Sequence, residues 1–326
     1  MPDENLKKDN LVLFARNGFT RPVADVLQTF AAARQENRVL CIVVFVLFTE
    51  TAMLLNETHE LTPQQLKDYL ERIGYHGEQT ASVEVLCALH QAHLAHIPFE
   101  NLDIRLGKPL TLEPGALLDK LLRQKRGGFC YEQNFALAML LRKFGFQVSL
   151  LSARVMQHGQ FGPEFDHMLL CVDMNGLRYL ADAGFGDSFR QPFALGSAGV
   201  TELGIGYRAR QNDDGSYDLL QLREGRAPQP QYRFSLQARA LADFLPMFRY
   251  QQASPASHFT QKSICSLPTT DGRISLSNDK LIRTAGGYRK VRTIASAQEY
   301  RDTLHALFDI TLDEKTNLAR LLSHRH

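Results

Sequence analysis

The chain has 326 residues, 44% of them hydrophobic and 22% charged, enough to bury a large core in one to three domains. A formal net charge of +2, with no basic run interleaved with aromatics, argues against nucleic acid as a partner. Five scattered cysteines, at 41, 87, 130, 171 and 265, form no C-x-x-C pair and no zinc spacing, which speaks against a disulfide framework and for a reducing cytoplasm.

In chain order, the first 56 residues stand apart. Residues 1–10 are polar, Val23–Ala33 has amphipathic helical spacing, and Val39–Phe48 is wholly apolar. That run is short of the roughly 20 residues needed to span a bilayer. It also lies too far in, without a small-residue cleavage pattern, to be a signal peptide. Residues 1–52 are read as an upstream-start artefact or a dispensable extension ahead of Met53, with a membrane anchor as the second reading.

Thr62 and Gln65 form a capping-box pattern with Pro63 at the first helical position, so a helix runs from there to Gly74. Ser82–Ala95 is a second helix. Its His90, with His93 and His96, is spaced i, i+3, i+6 without a carboxylate partner motif, so solvated or capping roles are expected and no metal. Pro98 breaks the helix, and Phe99 follows as a core aromatic. Pro114–Gln124 is another helix, leading into Arg126-Gly-Gly-Phe-Cys130. Gly127 and Gly128 permit backbone angles closed to other residues and let neighbouring groups come close. Tyr131–Phe144 reads as a helix stopped by Gly145, which sets Cys130 at a helix N-terminus. The helix dipole and Arg126 would favour the thiolate there, and such settings bring a cysteine pKa from about 8.5 into the range of roughly 3.5–7.5. Taken alone, the stretch also fits a buried cysteine capping a core helix.

Beyond Gly145 short strands alternate with turns. Gln147–Val155 is followed by the loop 159–166, then by two apolar runs, 166–174 and 177–186, around Asn175-Gly176, a strong hairpin signal. With that two-residue turn Met174 faces Leu177, Leu169 faces Asp182 and His167 faces Gly184. His167 and Asp182 then lie on one face as diagonal neighbours about 7–8 Å apart at the backbone, within reach of a carboxylate–imidazole hydrogen bond. Gly184 leaves room above His167. A one-residue slip would put the two side chains on opposite faces. Cys130 as nucleophile, His167 as base and Asp182 as orienting acid would make a triad. Ser216–Leu222 and Gln231–Leu236 are further strands of a small barrel or sandwich. Ala240–Tyr250 is helical and Pro255–Lys262 a linker. Four strands within 263–294 precede helices at Ala297–Leu307 and Leu312–Leu322.

The stretches Ile97-Pro-Phe-Glu-Asn-Leu-Asp103, Arg126-Gly-Gly-Phe-Cys130, His167 and Asp182-Ala-Gly-Phe-Gly186, in this order and spacing, resemble the arylamine N-acetyltransferase family, bacterial type. The resemblance runs from about Leu61 to near the C-terminus. It implies an α+β fold around a cysteine-protease-like Cys-His-Asp core. Its parts would be a helical bundle at 57–146 carrying the nucleophile, a central β-barrel at 147–255 carrying the His and Asp, and a C-terminal α/β lid at 256–326, after an extension at 1–56. It implies an acetyl-CoA-dependent acetyltransferase that carries the acetyl group as a Cys130 thioester to arylamines, hydrazines or N-hydroxyarylamines. Phe99, Val155 and Phe185 match positions lining the substrate pocket, where packing alone is the competing reading. Transglutaminase-like enzymes and papain-like thiol hydrolases share the triad and its thioester chemistry, so the residues alone leave the acceptor open, and a non-catalytic redox cysteine is a third reading.

Overall fold

The structure, a computed structural model, describes residues 59–322. The expectations for 23–33, for 39–48 and for a start at Met53 lie outside the described residues, which fall in one compact unit.

Helix α1 (Pro63–Ile73) opens with a capping box: Gln65 N donates to the Thr62 hydroxyl at 3.2 Å, and Thr62 N donates to Gln65 Oε1 at 2.9 Å. Gly74 ends it at φ 65°, in the left-handed region that favours glycine. Helix α2 (Val83–His96), strand β1 (Phe99–Glu100), helix α3 (Leu102–Leu106) and helix α4 (Pro114–Leu118) follow, the last running into a π-helical turn at Asp119–Arg123. Helix α5 (Cys130–Lys143) is buried at every residue from Cys130 to Leu141. A helix apolar on nearly every face has no solvent side to present, so the other elements pack round it.

The larger sheet comprises β2 (Gln147–Gln157), β3 (Gln160–Phe161), β4 (His167–Met174), β5 (Leu177–Ala181), β6 (Phe193–Ala194), β7 (Val200–Glu202), β8 (Ile205–Gln211), β9 (Tyr217–Arg223) and β10 (Gln229–Phe234). It is antiparallel in the order β6-β5-β4-β2-β10-β9-β8-β7, with β3 folded onto β2. Leu151, Ala153, Leu169, Cys171, Leu180, Phe193, Tyr207, Ala209, Leu219 and Tyr232 share one core. Strands from both ends of the path reach that core, so the sheet curls into a nearly closed, barrel-like form. The alternate residues Leu150, Met168, Leu170, Val172 and Ala181 pack on the helices instead. Successive side chains on a strand point to opposite faces, so two cores share these strands.

After a 3-10 turn (Leu241–Phe244) come α6 (Leu245–Ala253) and α7 (His258–Gln261). A second antiparallel sheet is built from β11 (Ile264–Thr269), β12 (Gly272–Ser277), β13 (Lys280–Ala285) and β14 (Tyr288–Thr293), with β1 added at its edge as Phe99↔Ser266 and Glu100↔Cys265. Helix α8 (Ala297–Phe308) covers it through Tyr300, Leu304 and Phe308. Two expectations fail here. Pro255–Lys262 is not a linker: Ser257 caps α7, donated to by Phe259 N, and Phe259 is buried. Leu312–Leu322 is helical only at α9 (Ala319–Leu322), because Leu312 and Leu318 pack as single anchors in the third core and the Arg301 guanidinium takes up the carbonyls of Leu312, Asp313, Glu314 and Thr316.

Candidate active site

Cys130 is the first residue of α5. Phe129 N donates to Glu132 Oε2 at 3.1 Å and fastens the helix start. The two preceding glycines are needed for space and not for unusual backbone angles, since neither has a positive φ. A Cβ on Gly127 would lie 1.9 Å from the Pro98 carbonyl oxygen, and one on Gly128 would lie 2.6 Å from Glu132 Cβ. Glycine lets the turn lie flat against β1, where Phe99 and Gly128 form a parallel bridge.

Arg126 corrects an expectation. Its guanidinium does not serve the thiol: Nε donates to Glu100 Oε1 at 2.9 Å and Nη1 to Asp103 Oδ1 at 2.9 Å. Lys120 Nζ lies 2.8 Å from Glu132 Oε1 and 3.3 Å from Asp103 Oδ2. Three buried carboxylates thus face two buried cations, and no positive charge is left over for Cys130. A buried charge must be paired, and Arg126 pairs with the IPFENLD segment that the Gly-Gly turn lies on.

The hairpin forms in the anticipated register, with Met174 opposite Leu177 and Leu170 opposite Ala181, and Asn175 and Gly176 both at positive φ (53° and 75°). His167 and Asp182 therefore share the barrel-core face, and His167 Nε2 lies 2.8 Å from Asp182 Oδ2. Burial raises the Asp182 carboxyl pKa, but His167 and the hydrogen bonds from His167, Asn134 and Gly184 outweigh it and hold it below the usual range. Gly184 lines the same cavity as His167 and also leaves room for α5: its absent Cβ would meet Asn134 Nδ2 at 2.6 Å and Cys130 Cα at 2.7 Å.

Burial pushes the Cys130 thiol well up, Asp166 and Asp182 add to this, and backbone hydrogen bonds with Met168 and Tyr131 only partly offset it. The easy ionisation expected at a helix N-terminus is opposed by this burial and by the two carboxylates, so the thiolate needs a cation beside it.

Cys130 and His167 line one cavity of about 220 Å³, together with Phe99, Val155, Asp166, Phe185, His258, Phe259 and Lys262. Phe99, Val155 and Phe185 are thus brought to the site, and the Phe185 ring sits edge-on to His167 at 5.3 Å. A more open hollow of about 680 Å³ at the Asn175–Gly176 turn holds none of the three triad side chains.

Three supporting residues escaped the sequence reading. Asn134, one turn beyond Cys130 on α5, donates from Nδ2 to Asp182 Oδ1 (3.0 Å) and to the Met168 carbonyl (2.6 Å), and accepts from Ala183 N (2.9 Å). Tyr232 donates its hydroxyl proton to Asp182 Oδ2 at 2.9 Å. His90, fully buried, accepts from Asp182 N at 3.1 Å. Asn134 had a usable signal, a polar residue at i+4 from the nucleophile on an apolar helix. Tyr232 and His90 had none, because only the fold brings them to Asp182. His90 and His93 also overturn the solvated or capping expectation: His93 is held between Tyr69 and Gln133 at 2.9 and 2.6 Å. Among the described residues no three His, Cys, Asp or Glu side chains gather into a metal-holding group.

A family model described as N-acetyltransferase matches residues 82–317. The chain belongs to the arylamine N-acetyltransferase family. The pineal gland isozyme NAT-3 of Gallus gallus, an arylamine N-acetyltransferase, is 33% identical over 277 residues, which cover 77% of this chain and 95% of that protein. The family fold is also seen in the arylamine N-acetyltransferase of Salmonella typhimurium (TM-score 0.73, 28% identity, 80% of this chain and 97% of that one). The Mycobacterium marinum enzyme in complex with CoA is similar (TM-score 0.71, 29% identity, 78% and 96%).

Proposed function

We propose that Cys130, His167 and Asp182 are the catalytic triad of an acetyl-CoA-dependent acetyltransferase acting by two half-reactions. The observation that carries this reading is the shared cavity of Cys130 and His167, with Asp182 bonded to Nε2 of the imidazole. Asp182 on Nε2 leaves Nδ1 to take the thiol proton. The thiolate forms only beside an imidazolium that Asp182 stabilises, which offsets the desolvation that keeps the resting thiol protonated.

Cys130 sulfur attacks the acetyl carbonyl of acetyl-coenzyme A. Its bond to carbon forms, the bond to the coenzyme sulfur breaks, and His167 returns the proton to the departing thiolate. The acceptor amine then attacks the Cys130 thioester, gives up a proton to His167, and Cys130 leaves to be reprotonated. A cavity of about 220 Å³ is below the roughly 300–1,000 Å³ of sites that enclose a drug-sized ligand. It suits the acetyl end of the donor and then a small aromatic ring, in turn. Phe99, Val155, Phe185 and Phe259 would wall that ring, making arylamines, hydrazines and N-hydroxyarylamines the acceptors. The same reading takes 57–146, 147–255 and 256–326 as three successive domains, whose hydrophobic cores are shared across the boundaries: Leu150 and Met168 pack with the helices, and Leu102 packs with the C-terminal sheet. It also makes the protein cytoplasmic, which free thiols at Cys87, Cys130, Cys171 and Cys265 support. No helix among the described residues is long and apolar enough to cross a membrane.

Intact mass spectrometry with acetyl-coenzyme A and no acceptor should show one acetyl adduct, absent in Cys130→Ala and kept in Cys171→Ala and Cys265→Ala. Double-reciprocal plots should be parallel as the amine is varied. Intersecting lines without an adduct would mean direct transfer in a ternary complex.

A further inference from the structure

His90 is a buried histidine on α2 that the triad chemistry does not use. Its Nδ1 lies 2.9 Å from the Arg190 carbonyl oxygen, its Nε2 lies 3.1 Å from Asp182 N, and its ring stacks on Phe189 at 6.0 Å and 5°. A carbonyl only accepts and an amide N–H only donates, so both bonds form only in the neutral tautomer with the proton on Nδ1. The two contacts are the two ends of one loop, 182–190. That loop carries Asp182 at its start and Phe185, a wall of the cavity, near its middle.

We infer that His90 is a positioning residue of the reaction: as the Nδ1–H tautomer it clamps both ends of the 182–190 loop and so sets the Asp182 carboxylate against His167. The other charged or titratable groups facing it are the Asp182 carboxylate and His93; Arg190 meets it only through its backbone carbonyl, its guanidinium being bound to the carbonyls of Thr269 and Gly272. Burial lowers the His90 pKa, and the Arg190 and Asp182 contacts only partly restore it, so the ring stays neutral, and its two partners then select the tautomer that the clamp needs. Asn134 and Tyr232 hold the carboxylate itself, whereas His90 holds the backbone from which it hangs. Without it the Asp182 N–H would be a buried donor with no acceptor.

The inference rests on the triad reading, and the experiment separates the two. In wild type, histidine-selective nitrogen-15 NMR should find His90 neutral, protonated on Nδ1, with the Asp182 amide protected from exchange. His90→Phe keeps the stacking and removes both bonds. It should lower kcat by about tenfold or more, as expected of an orphaned buried donor acting on the acid. It should also shift the pH profile of Cys130 alkylation by iodoacetamide. His90→Gln can accept and donate at once and should restore both. A His90 protonated on Nε2 in wild type overturns the inference even if no variant folds. So does a folded His90→Phe with the wild-type pH profile, or a His90→Gln no better than Phe. If Asp182→Asn is itself fully active, the triad reading has failed instead.

Discussion

Asp182 takes four hydrogen bonds on its two oxygens: from His167 and Tyr232 on one, from Asn134 and the Gly184 amide on the other. Such a saturated carboxylate keeps its charge although fully buried, and the imidazole is held in one orientation by it. Asp182→Asn should leave the fold intact but lower kcat on the order of 10³-fold or more, because an amide stabilises the wrong imidazole tautomer and leaves the imidazolium uncompensated. Circular dichroism with steady-state rates checks this, and near-normal turnover would remove Asp182 from the mechanism. Gly184 is a second residue-scale lever. Its Cβ would fall 2.7 Å from Cys130 Cα, against a helix that cannot move without its whole core. Gly184→Ala should destabilise by about 1–3 kcal/mol, the range for overpacking, and slow Cys130 acetylation as well. Unchanged denaturant midpoint and acetylation rate would show that the loop moves freely.

At the scale of elements, β1 joins the parts. It bridges Gly128 on one side and β11 on the other, so the nucleophile turn and the C-terminal sheet share two residues of backbone. Asn101, the next residue, donates to the carbonyls of Phe259 and Lys262 and accepts from Ile264 N at 2.7 Å. One buried amide therefore holds the segment that brings His258, Phe259 and Lys262 to the cavity. Asn101→Ala should cost about 1–3 kcal/mol for the orphaned backbone groups. It should raise the KM of the aromatic amine by a larger factor than it slows acetylation of Cys130, whose own helix is fastened elsewhere. Equal effects on both would mean that the 258–262 segment serves the donor and the acceptor alike.

Over the whole molecule, the Asp103–Lys120–Glu132–Arg126–Glu100 network ties the helical region to the nucleophile turn. Burial raises the Asp103 carboxyl pKa, yet Lys120 and Arg126 outweigh it and hold it below the usual carboxylate range. A carboxyl depressed on folding stabilises above its unfolded pKa of about 3.9 and loses that contribution as pH falls through the native value. Asp103→Asn should therefore be less stable than wild type at pH 7, by about 3–5 kcal/mol if breaking this network resembles breaking a buried pair. The gap in urea midpoint should narrow below about pH 4. A constant gap from pH 7 to pH 3 would show that Asp103 does not carry the charge in this network.

Local chemistry was enough to place much of this protein from its residues in order. The Thr62–Gln65 cap, the Asn175–Gly176 turn and the stop at Gly145 act within a few residues, and each formed as its neighbours require. The pairing of His167 with Asp182 followed from that turn alone, since a two-residue loop sets every cross-strand neighbour. What lay beyond local rules was decided by packing. Arg126 looked free to help Cys130 until folding set Glu100 and Asp103 against it, since only tertiary structure shows which charges are buried together. The Cys130 thiol looked acidic from its helix start and proved costly to ionise, because the depth of burial is a property of the whole core. His90, 92 positions before Asp182, had no sequence signal of its role. Hydrogen-bond partners so far apart are chosen by how helices and strands stack, which no spacing along the chain encodes.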